Sequence, residues 1–117
     1  MNTLALLAAV PAVLAIAACS SPNVQEVRSS EPVVFVQSQR APGDISSCLQ
    51  SRIDGLRMST GNGSTELMVG HGSENYAWLI TLMPSGYGSV VKVQKSPGDD
   101  GSVPEPEMRF DIARCTT

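Results

Sequence analysis

The residues of this 117-residue chain whose types could do chemistry are few: one histidine, two adjacent aspartates and three cysteines. His71 sits in Gly70-His71-Gly72-Ser73-Glu74. A general base must hold its nucleophile at about 3 Å, and a serine two positions away in a glycine loop is poorly placed for that. An exposed loop histidine is expected. Asp99-Asp100-Gly101-Ser102 lacks the alternating ligands and distal glutamate of a calcium loop, so it reads as a solvated turn. Gly61-Asn62-Gly63-Ser64 has the small residues of a phosphate cradle. Such cradles open a helix N-terminus, whereas this one leads into a strand pattern and reads as a tight hairpin. Met58, Met68, Met83 and Met108 are dispersed, as core-filling methionines are. No catalytic residue, metal site or cofactor is predicted.

The cysteines carry more. Ile16-Ala17-Ala18-Cys19 resembles a bacterial lipobox, an aliphatic residue and two small ones before the cysteine, and closes an apolar run over residues 4–18. That run is shorter than the ~20 residues of a membrane-spanning helix, contains Pro11, and has the length of a secretory signal. The segment before it, Met-Asn-Thr, has no Lys or Arg, a departure from the usual signal. The lipobox implies cleavage before Cys19, a diacylglycerol thioether on its thiol and an acyl chain such as palmitate on its amine. One acyl chain binds a membrane only marginally, so stable anchoring takes more than one. Ser20 in place of aspartate implies sorting to the outer membrane. The expected division is a signal peptide at 1–18, a lipidated cysteine with a flexible tether at 19–43, and a small domain at 44–117.

With Cys19 lipidated, Cys48 and Cys115 remain as an even pair in an oxidising compartment, the setting for a disulfide. A domain this small often needs such a staple. The formal charge of −3, without clustered basic residues, argues against a nucleic-acid surface.

Within 19–43, Val33-Val34-Phe35-Val36 is a β-prone island, either an edge strand or a sticky segment that meets a partner or the membrane. Asp44 reads as an N-cap, with Ile45, Cys48, Leu49 and Ile53 on one helical face and an end near Gly55. Residues 56–60 can form a short strand. Strands are expected at 65–70, 76–83 and 89–95, the middle one apolar on both faces and therefore central. Residues 84–88 read as the loop joining the last two. Residues 107–115 fit a helix carrying Met108, Ile112 and Cys115, or a strand. The fold class is α+β: an N-terminal helix, an antiparallel meander of three or four strands, and a short C-terminal helix or strand tied to the first helix by the disulfide. Trp78, Tyr76 and Tyr87 are the candidate partner contacts; Trp78 and Tyr76 read first as core, and as anchors of a binding surface if one face of the central strand is open.

This order of lipobox, tether, cysteine-bearing helix, meander with Gly86-Tyr87-Gly88-Ser89, and terminal cysteine-bearing segment resembles small proteobacterial lipoproteins of uncharacterised function. The chain has no G-x-x-x-x-G-K-[ST], so no nucleotide partner is expected. The expectation is a non-enzymatic envelope lipoprotein, membrane-held through its lipid and facing the periplasm, acting as an accessory or structural protein on an unidentified envelope partner. The alternative is an inhibitor of a cell-wall hydrolase such as lysozyme, with residues 84–88 as the inhibitory loop.

Overall fold

The computed structural model describes residues 27–70, 77–96 and 103–117. They form an α+β unit in the order β1 (Pro32–Ser38), α1 (Pro42–Arg52), β2 (Leu56–Gly61), β3 (Ser64–Val69), β4 (Trp78–Ser85), β5 (Gly88–Lys95) and α2 (Glu105–Thr116). The five strands make one antiparallel sheet in the order β1-β5-β4-β3-β2. Strands β2 to β5 are the expected meander. The fifth strand is the difference. The island Val33-Val34-Phe35-Val36 is the centre of β1, paired with β5 as an edge strand. The first helix therefore lies between two strands and is not the opening element. A strand of half-buried character is decided by the partner that receives it, here β5, more than fifty residues along the chain.

Helix α1 starts at Pro42, with Ala41 as its N-cap and no side-chain cap hydrogen bond. Asp44 is thus not the cap. Proline has the fixed φ of a first helical position and lacks only an amide that would be unpaired there, while Asp44 in the first turn faces the positive helix end. Residues 107–115 resolve as helix within α2, placing Met108, Ile112 and Cys115 in the core. A disulfide joins Cys48 to Cys115, with 5.6 Å between their Cα atoms and a sequence separation of 67. Loops of this size are stabilised by about 3–4.7 kcal/mol in the chain-entropy account. Arg52 reinforces the helix pair, donating from Nε to Asp111 Oδ1 at 2.9 Å and lying over the Phe110 ring.

Both hairpins follow their turn residues. Asn62 and Gly63 have φ of 53° and 77°, the two positive angles of a type I′ turn. Gly86 has φ of 59°, and β4 runs on through Pro84 and Ser85, pairing with Ser89 and Gly88. The connection is thus two residues, Gly86-Tyr87, not the five expected. Pro84 is tolerated because it lies past Thr65–Leu82, the last β3–β4 partners, where a missing amide breaks no ladder bond. Gly88 is fixed by contact: a Cβ there would lie 2.0 Å from the Ser38 carbonyl oxygen.

The main core lies between the sheet and the two helices. It holds Ile45, Leu49, Trp78, Ile80, Leu82, Val91, Val93, Met108 and Ile112. The second sheet face carries a smaller cluster, Val27 on Leu79 with Met68 against them. Residues 27–30 are held there by the Gln94 amide, whose Nε2 donates to the carbonyls of Arg28 (2.9 Å) and Ser30 (2.7 Å). Arg28 adds a two-pronged pair with Glu66. Residues 27–43, expected within the tether, are thus built into the sheet, this clip and the start of α1. Among the described residues no helix is long and apolar enough to cross a membrane.

Candidate functional site

The residues singled out in the sequence do not converge. Cys19, Tyr76, His71 and Asp99-Asp100-Gly101-Ser102 lie outside the described residues. Cys48 and Cys115 are consumed by their bond. Trp78 is fully buried and its Nε1–H donates to the Val103 carbonyl at 2.8 Å, so it is a core residue and is removed from the partner contacts. A buried indole needs such an acceptor, and the chain supplies it from the segment leading into α2. Met58 is corrected the other way, to a half-exposed position on the edge strand β2. Tyr87 is fully exposed at the tip of the β4–β5 turn, at the far end of β4 from Trp78. Among the described residues no group of three or more His, Cys, Asp or Glu could hold a metal.

What the structure does bring together is the edge of β1 that no described strand pairs with and the side of α2. The β4–β5 turn closes on Ser85 and Gly88, so alternate β5 residues, Ser89, Val91 and Val93, direct their backbone to β1. Their partners are Ser38, Val36 and Val34. Phe35 and Gln37, between them, turn N–H and C=O outward from the sheet. No charged residue occurs from Pro32 to Gln39, and Phe35 is 63% exposed. Edge strands usually carry lysine, proline or a bulge against unwanted pairing. Here the bulge and Pro32 protect only the N-terminal end, where the register shifts between Pro32 and Val34.

Alongside this edge runs a groove of about 360 Å³ between β1 and α2, lined by Val34, Val36, Ile112, Ala113 and Thr116, with Arg109 at its rim. Its far wall is fixed from below. Ser38 Oγ donates to the Thr116 carbonyl at 2.6 Å, and Arg40 Nη1 donates to the Cys115 carbonyl at 3.0 Å, where a cation suits the negative helix end. Gln37 also lines a second recess of about 680 Å³ that continues from the end of β1 to Tyr87. An open edge with an apolar trough beside it suits an added extended segment: main-chain bonds give affinity and alternate side chains enter the trough.

Sequence reasoning found the β-prone residues of this edge but not the groove, because Ile112 and Ala113 come from an element whose helical state was open. The signal available was the uncharged run from Pro32 to Gln39 itself. Comparison with protein-family models, with curated proteins and with solved structures finds no match to this chain.

Proposed function

We propose that the chain is a non-enzymatic lipoprotein of the bacterial envelope, held through Cys19 at the outer membrane, facing the periplasm, and acting by contact with an envelope protein. The observation that carries this reading is the uncharged edge strand β1, exposed at Phe35 and flanked by the α2 groove. The position of the domain on the tether supports it. A spacer from Cys19 to Gly43 would reach roughly 80–85 Å when extended. With residues 27–43 built into the domain, the eight steps from Cys19 to Val27 span at most about 29 Å. The partner is therefore one that comes to the membrane surface.

In-cell cross-linking followed by mass spectrometry tests it. One dominant protein partner is expected, lost in Cys19→Ser and weakened in Val36→Lys, which puts a charge on the strand edge. A diffuse set of products indifferent to both changes contradicts the proposal. So does turnover of a cell-wall substrate that a His71→Ala change abolishes.

Tyr87 favours a second reading, an inhibitor of a cell-wall hydrolase. A fully exposed aromatic on a two-residue turn is a low-entropy anchor for an enzyme cleft. Muramidase activity measured with and without the protein decides: loss of inhibition in Tyr87→Ala supports this reading, and no inhibition by the parent protein retires it for the enzymes tried.

A further inference from the structure

We infer that the second face of the sheet rests on the bilayer that holds the lipid, with Phe35, Met83 and Val90 as its apolar contact and Lys92 as its headgroup contact. This rests on the reading of Cys19 as the lipidated residue.

The register defines the surface. Leu79, Thr81 and Met83 of β4 face away from the helices, opposite Gln94, Lys92 and Val90 of β5, and Lys92 stands opposite Phe35 of β1. Residues 27–30 cover one end of this face, burying Leu79 completely. The other end is uncovered: Phe35 is exposed and Met83 and Val90 are half-buried. An apolar patch with a lysine in its midst suits a membrane interface, because the lysine stem lies along the apolar surface while its ammonium reaches the headgroups.

The length of chain between anchor and domain selects the occupant. Cys19 is eight steps from Val27, at most about 29 Å, and Val27 sits on this same face. The uncovered end begins four residues along β4 from Leu79, about 13 Å away. The patch thus lies within the reach of the lipid. In this orientation the helices face the periplasm and the β1 edge lies along the membrane surface.

Two phenylalanines make a matched test. Phe35 is 63% exposed on the second face and Phe110 is 57% exposed on α2. A photoreactive benzoyl-phenylalanine is placed at each position of the full chain in cells, with palmitate labelling of the same preparations. Lipid adducts at position 35 are expected to exceed those at 110 by at least about fivefold, since only a face lying in the interface reaches acyl chains. Palmitate incorporation with equal or absent lipid adducts at 35 overturns the membrane face and leaves the anchor standing. A protein adduct at 35 in place of lipid overturns it in favour of a protein partner. Absence of palmitate overturns both readings.

Discussion

The two faces of the sheet are built on different terms, and β4 shows both at once. Ile80 and Leu82 lie fully buried under two helices that a disulfide clamps together. Leu79, on the opposite face, packs among the described residues against Val27 and Met68, and Met83 is half-open. Polar groups follow the same division. Towards the helices Trp78 Nε1 reaches the Val103 carbonyl and Asp111 holds Arg52. On the other face Arg57 Nε and Nη2 and Gln94 Oε1 are buried without a hydrogen-bond partner among the described residues, a cost of order 1–3 kcal/mol for each group left unsatisfied. The larger core and the disulfide are on the helical side, and the second face holds the smaller cluster.

The largest test of this division is to open the clamp. Reducing the Cys48–Cys115 bond, or replacing both cysteines with alanine, is expected to cost about 4 kcal/mol. For a domain of this size that is roughly 15–30 °C in Tm. Thermal melts followed by circular dichroism, with and without reductant, measure it. A loss below about 1 kcal/mol would mean that the helices hold their places without the bond.

A smaller effect separates the faces within one strand. Ile80→Ala empties a site under the helices and should cost about 3–4 kcal/mol, whereas Met83→Ala on the second face should cost under about 1 kcal/mol. Urea denaturation of the two variants gives the ratio directly. Equal losses would show that the second face carries packing as tight as the first.

The same division explains what was legible in the sequence. The apolar alternation of β4 on both faces, the Asn62-Gly63 turn, a reversal within residues 84–88, and the cysteine pair all express local chemistry or simple counting, and each marks the helical core or the meander that floors it. Strand β1 was visible only as a β-prone island, because its state depends on accepting β5 as a partner. The clip at residues 27–30 was not visible at all. It is made by Gln94, a polar residue inside a strand, reaching carbonyls more than sixty residues earlier, and no periodicity encodes such a bond. Trp78 was open between core and surface because the Val103 acceptor that buries it lies across a connection with no pattern of its own. The groove, made where β1 meets α2, inherited the uncertainty of both.

The smallest expected effect sharpens the comparison most, since it concerns the clip alone. Arg28 is 41% exposed and Glu66 19%, so solvent screening leaves their pair worth about 0.5 kcal/mol. Glu66→Gln should therefore barely move the global unfolding transition. Its effect belongs to a local opening, in which residues 27–30 leave the sheet while the helical core stays folded. Hydrogen exchange should show faster exchange confined to the backbone around residues 27–30, with α1, α2 and β4 unchanged. A global loss above about 2 kcal/mol would instead make the clip part of the cooperative core. Local opening has a mechanical consequence. Freeing residues up to Pro32 lengthens the path from Cys19 from eight steps to thirteen, adding up to about 18 Å of reach. In the proposed lipid-anchored form, opening this clip would let the domain lift from the bilayer by that distance, while the disulfide on the other face keeps the two helices together.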